Sequence, residues 1–134
     1  GKHISLADVE RVTGAPKGAL VQEVIDAIER KDAAVGLGAI AEAVRQNYDM
    51  KVFAKMLLAR LRFILLLRNA PSLATEIETE VSGEEFAFLT QCAASKASRV
   101  NSAVLLEFLN CFDLIGVASL PQLPLELAVI KVTQ

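Results

Sequence analysis

The stretch that most constrains this chain is DMKVFAKMLLARLRFILLLR, residues 49–68. Successive helical residues turn by about 100°, so as a helix this stretch gathers Lys51, Lys55 and Arg62 into one narrow stripe. Phe53, Met56, Ile64 and Leu67 fall opposite. Leu58 and Leu65 land back among the cations, with Leu66 beside them, so apolar surface runs nearly all the way round. A helix of that kind is normally buried on more than one side. One side enters the domain's own core, and a second subunit is the expected cover for the other. Leu58, Leu65, Leu66 and, from a later helix, Phe88 are the residues this reading places at such an interface.

The rest of the chain supplies helices to surround it. Residues 17–30 put Leu20, Val21, Val24, Ala27 and Ile28 on one side and Gln22, Glu23, Asp26, Glu29 and Arg30 on the other. Asp32 can cap a third helix reaching about residue 47, with Leu37, Ile40, Ala41 and Val44 inward. Gly36, Ala39 and Ala43 recur along its flank at spacings of three and four. Each helical glycine costs about 1 kcal/mol relative to alanine, and the stripe therefore predicts close approach by a neighbouring helix. Near the start, Ser5 with Asp8 can cap a short helix that ends at the Gly14-Ala15-Pro16 breaker.

Beyond the central stretch, Asn69-Ala70-Pro71-Ser72 interrupts the chain, and LATEIETEV reads as a short helix or an acidic loop. Ser82-Gly83-Glu84-Glu85 has the form of a capping box and starts a helix that buries Phe86, Leu89 and Ala93 and leaves Phe88 outside. A further helix begins around residues 98–101 and runs to about 117. Its apolar side carries Val100, Val104, Leu105, Phe108, Leu109, Cys111, Phe112 and Ile115. Gly116, Pro121 and Pro124 punctuate a turn before LPLELAVIKVTQ. No stretch alternates as a strand would. The expected fold is all-α, a single bundle of about six or seven helices, with residues 1–134 forming one domain.

Composition narrows the function classes. Hydrophobic residues make up 53% of the chain and mean hydropathy is +0.41, rich for a domain that stands alone, and the excess is aliphatic. Fourteen Lys plus Arg against sixteen Asp plus Glu leave a net charge of −2. That balance argues against direct nucleic-acid contact by this domain. The longest apolar run is broken by Lys55, Arg60 and Arg62, too short and too charged to span a bilayer. Cys92 and Cys111 lie 19 apart without a CxxC or a histidine pair, the pattern of buried reduced thiols, and a cytoplasmic location is expected. No signal-peptide pattern opens the chain, and its start at Gly1 without an initiator Met suggests a domain excised from a longer protein.

The motifs for chemistry are weak. Gly36-Leu37-Gly38-Ala39-Ile40-Ala41 has the letters of a dinucleotide fingerprint but sits inside a helical pattern with no strand before it. There is no phosphate-binding loop and no nucleophile elbow. His3, the single histidine, has no carboxylate or thiol in register. Glu76, Glu78, Glu80, Glu84 and Glu85 cluster as a solvated acidic face does. No catalytic residue, cofactor site or metal site is expected. Arg60 is the informative charge, because it projects among Phe53, Met56, Ile64 and Leu67, where an unpaired guanidinium is expensive. Either it snorkels along the core edge or it pairs with a later carboxylate, Glu126 first and Glu107 second.

Laid out in this way, the chain resembles the third, C-terminal collar domain of the gamma/tau subunit of bacterial DNA polymerase III, the clamp loader. The likeness rests on Val9 and Gly14 in the opening, Lys31 to Ala34 at the turn of the helix pair that follows, Leu61 to Arg68 in the central helix and Leu125 to Lys131 at the end. Residues 69–95 hold no motif of that family. The resemblance implies a non-catalytic oligomerisation domain that follows ATPase domains in its parent. It would join other clamp-loader subunits in a ring during DNA replication, and could dock the accessory psi subunit. The collar domain of the related delta subunit fits nearly as well. Outside that family, the alternatives are a small helical enzyme or ligand-binding bundle, or an adaptor domain.

Overall fold

In the computed structural model, which describes residues 16–134, the chain is a bundle of helices. The helices are α1 (Lys17–Arg30), α2 (Ala33–Arg45), α3 (Met50–Asn69), α4 (Ala74–Glu78), α5 (Gly83–Ala94), α6 (Ser102–Ile115) and α7 (Leu123–Val132), with a 3-10 turn at Pro71–Leu73 ahead of α4. There is no strand among the described residues, and the all-α bundle expected from the sequence is the observed fold. The expected short helix near Ser5, the Val9 and Gly14 positions and His3 lie outside the described residues.

Local chemistry sets the helix ends. The Asp32 carboxylate accepts a hydrogen bond from the Val35 amide, and Asp49 accepts from the Lys51 and Val52 amides at 2.8 and 3.1 Å. Asn101 caps α6 by accepting from the Val104 amide at 2.9 Å. Such caps satisfy amides that the first turn leaves without an intrahelical partner. Ser82 and Glu85 close the capping box read from the sequence. Lys31 and Asn47 turn the chain out of α1 and α2 in the left-handed conformation, at φ 55° and 59°.

α3 is the axis of the core. Met50, Phe53, Ala54, Leu57, Leu61, Phe63, Ile64 and Leu67 are buried on it, and α5, α6, α1 and α2 all pack against it. Each fully buried Phe, Leu or Ile here contributes about 1.5–3 kcal/mol by leaving water. Lys51, Lys55 and Arg62 form the exposed stripe expected of them. Lys51 lies 5.4 Å from the centroid of the Phe112 ring of α6, its stem against Gly116, so part of the cationic stripe covers the α3–α6 seam.

α2 buries a different side from the one expected. Gly36, Ala39, Ile40 and Ala43 are inside, Leu37 and Val44 are half-buried, and Ala41 faces solvent. The small-residue flank is itself the contact: a Cβ on Gly36 would come within 2.8 Å of Val129 Cγ1 and 3.2 Å of the Ala27 Cβ. α1, α2 and α7 meet there at a separation only glycine allows. Gly38 has open space around it and takes no part.

α6 and α7 form an antiparallel hairpin joined by residues 116–122, tied at its open end by Lys131 Nζ and Glu107 Oε1 at 3.2 Å. α7 also packs on α2 and α1. LATEIETEV becomes the short α4, anchored by the buried Ile77, with Glu76, Glu78 and Glu80 in solvent.

Candidate functional site: an apolar ridge on the last helical hairpin

Leu58, Leu65, Leu66 and Phe88 are each half-buried and packed against the core. They form its rim rather than a free face, because α5 and α6 lean on α3 from two sides. The surplus apolar surface expected on the central helix lies instead at the C-terminal hairpin. Of the large hydrophobic side chains exposed to solvent, only Val52 belongs to α3. Leu106, Leu109, Leu114, Val117, Leu120, Leu123, Leu127 and Ile130 all come from residues 106–130.

The periodicity of α7 explains the pattern. Leu125, Ala128 and Val129 turn inward, and Leu123, Leu127 and Ile130 fall within about 60° of one another on the outside. Leu127 remains 57% exposed. On α6, Val104, Phe108, Cys111 and Ile115 are inside while Leu106 and Leu109, 55% and 50% exposed, face out. Leu109 therefore does not belong to the core side on which the sequence placed it. The signal was present: α6 and α7 carry leucine or isoleucine on both sides, and a helix in a two-layer packing has only one side to hide. Single exposed leucines are ordinary, but eight exposed aliphatic side chains within residues 106–130 are a concentration that suits an interaction surface.

Arg60 is paired, but with neither expected partner. Its Nε donates to Glu85 Oε2 at 3.1 Å, with side chains 16% and 24% exposed. Glu126 is half-buried on α7, whose neighbours are α6, α2 and α1, whereas Arg60 faces α5. Glu107 is engaged by Lys131. Glu85 Oε1 accepts from the Ser82 amide at 3.2 Å, which leaves the second carboxylate oxygen to point at α3. The pair borders an open groove of about 840 Å³, lined also by Met56, Phe88, Glu84 and Asp26.

Two further groups fasten the 95–101 loop. Arg68 donates to the carbonyls of Cys92, Ala93 and Val100 at 3.2, 3.1 and 2.6 Å. Glu29 accepts from the Ser98 hydroxyl at 2.7 Å and from the Arg99 amide at 2.5 Å. Burial pushes the Cys92 thiol from the usual 9.0 up to about 12, with help from the nearby Glu29 charge. Burial, with a smaller effect of Glu107, does the same for Cys111. Both thiols are free and held in the unreactive protonated form at neutral pH.

Among the described residues no three His, Cys, Asp or Glu side chains are grouped to hold a metal ion, and no helix is long and apolar enough to cross a membrane. Neither a protein-family model, nor a curated protein sequence, nor a solved structure matches the chain.

Proposed function

We propose that this is a non-catalytic oligomerisation domain, the collar of a clamp-loader subunit of the gamma/tau type. Its role would be to hold a ring of subunits together while sliding clamps are loaded during DNA replication. The observation that carries the reading is the apolar ridge of α6 and α7, with Leu106, Leu109, Leu123, Leu127 and Ile130 in solvent on a well-capped, tightly packed bundle. A domain whose interior is complete and whose outside still displays leucines is suited to binding a protein surface. Likeness in residues 61–68 and 125–131 to the collar family supports the more specific assignment, and the delta-type collar is the near alternative within it. A permanent interface of this kind would let nucleotide-dependent contacts elsewhere in such a loader break and reform without loss of the assembly.

The test is reconstitution. Mixed with purified clamp-loader gamma/tau, delta and delta-prime subunits and analysed by size-exclusion chromatography with light scattering, the domain is expected to enter a stoichiometric complex. Leu123→Glu/Leu127→Glu is expected to lose that complex while keeping the parent's melting temperature. Failure of the parent domain to enter any complex would refute the assignment.

The groove beside Arg60 and Glu85 favours a second reading, a small-ligand bundle. Its polar groups do converge, but Arg60 and Glu85 are bound to each other and the groove is open along its length. A charged ligand would have to break that pair to use either group.

A further inference from the structure

We propose that the solvent side of α3 is a docking site for an acidic amphipathic helix of another protein, separate from the α6–α7 ridge. Lys51, Lys55, Leu58, Arg62, Leu65 and Asn69 follow one another at spacings of four, three, four, three and four. On a helix turning about 100° per residue they share an arc of about 80°. Lys51, Lys55, Arg62 and Asn69 are exposed, while Leu58 and Leu65 are half-buried and still show part of their side chains. Alternating threes and fours make the seven-residue period of a seam along which a second helix packs at a shallow angle. An extended peptide, whose side chains repeat every two residues, does not match it.

The charge on this seam selects the partner. Lys51, Lys55, Arg60, Arg62 and Arg68 carry all the charge of α3, which has no Asp or Glu. Arg60 and Arg68 are engaged within the protein, by Glu85 and by three backbone carbonyls. Lys51 lies against the Phe112 ring. Among the described residues no carboxylate reaches Lys55 or Arg62. Arg30 and Arg45, by contrast, pair with Asp26 and Glu42 on their own helices, and Lys131 pairs with Glu107 of the neighbouring one. In a chain whose net charge is −2, α3 shows solvent a stripe of one sign.

Lys55 and Arg62 stand one heptad, about 10 Å, apart along the axis. In a two-helix seam, cations at such positions reach carboxylates that flank the partner's apolar stripe, and the leucines between them meet the stripe itself. The occupant is therefore a helix with Leu or Ile at heptad spacing and Glu or Asp on either side. A basic helix would set like charges against Lys55 and Arg62, which opposes both encounter and register. Binding by charge alone, as to an anionic lipid surface, gives no role to Leu58 and Leu65.

The probe is a fluorescein-labelled peptide of three heptads with leucine at both seam positions and glutamate on either side, where like charges keep it from pairing with itself. One control carries lysine in place of glutamate, and another has the acidic peptide's residues in scrambled order. By fluorescence anisotropy at low salt, the acidic peptide is expected to bind the chain at least tenfold more tightly than either control. Lys55→Glu/Arg62→Glu, at exposed positions and with its melting temperature checked, is expected to weaken that binding at least tenfold and to gain binding of the lysine peptide. Leu123→Glu/Leu127→Glu is expected to leave it unchanged, which separates this site from the ridge and its proposed role. Equal binding of the scrambled peptide, or undiminished binding by the Lys55→Glu/Arg62→Glu variant, overturns the site. So does an acidic peptide that does not bind, whether or not the chain associates with itself. If phosphatidylserine vesicles then bind the parent and not that variant, the stripe belongs to a membrane surface instead.

Discussion

Glu85 holds Arg60 with one carboxylate oxygen at 3.1 Å and the Ser82 amide with the other at 3.2 Å, so one side chain both starts α5 and ties it to the central helix. Removing it strands a largely buried guanidinium and opens the cap, whereas Arg60→Met leaves a carboxylate that keeps its capping bond. Glu85→Ala is expected to lower stability by about 2–3 kcal/mol, and Arg60→Met by under about 1 kcal/mol. Urea unfolding of both variants and the double mutant measures the difference; equal, small losses would contradict the arrangement.

Gly36 and Gly38 are two residues apart and opposite in consequence. Gly36→Ala drives a methyl to 2.8 Å from Val129 Cγ1 and is expected to destabilise by about 1–3 kcal/mol. Gly38→Ala, with open space around it, is expected to stabilise by about 0.5–1 kcal/mol. Val129→Ala should partly rescue Gly36→Ala and should not interact with Gly38→Ala. Thermal melts of the set decide it, and a stabilising Gly36→Ala would show that α2 and α7 do not approach as described.

Arg68 closes the C-terminal end of α5 and the following loop through three carbonyls. Arg68→Met leaves those acceptors without a charged donor, an expected loss of about 2–3 kcal/mol. The effect should be local as well as global. Amides of Ser95 and Ser98, which bond to Gln91 and Ser95 carbonyls, are expected to exchange with deuterium at least tenfold faster. Unchanged exchange in that loop would mean that Glu29 alone holds it.

The two thiols give a pH dependence with a fixed sign. Each has a folded-state pKa raised from 9.0 to about 12 by burial, so each prefers the folded state while protonated. That stability is fully present below pH 9 and is lost as pH rises from 9 towards 12. The urea midpoint is expected to fall across this window, and to fall less steeply in Cys92→Ala/Cys111→Ala. Native protein at pH 8 should resist a thiol-specific reagent until urea is added, and rapid labelling without urea would refute burial of both.

Much of the fold was legible because local signals and global packing agree. Asp32, Asp49 and the Ser82–Glu85 box announce helix starts, and the cationic stripe of Lys51, Lys55 and Arg62 marks the solvent side of α3. The partner of Arg60 was not legible, since pairing across 25 residues depends on which helices become neighbours, and periodicity within a helix does not specify that. The burial of the expected interface residues was not legible for a related reason. Leu58, Leu65 and Leu66 sit on a helix apolar nearly all round, and α5, α6, α1 and α2 pack against α3 closely enough to leave them half-buried. α6 and α7, at the edge of the bundle, are the helices left with an uncovered side. In an all-round apolar helix, position in the bundle decides what is exposed.

The role proposed for the exposed side chains of α6 and α7 is to be covered by another protein subunit. Sedimentation velocity on the chain from micromolar to several hundred micromolar tests it most directly. The weight-average mass is expected to rise with concentration above that of the 14.4 kDa monomer, and a Leu123→Glu/Leu127→Glu variant to stay monomeric with an unchanged melting temperature. A parent chain that remains a monomer throughout, indistinguishable from that variant, would contradict it.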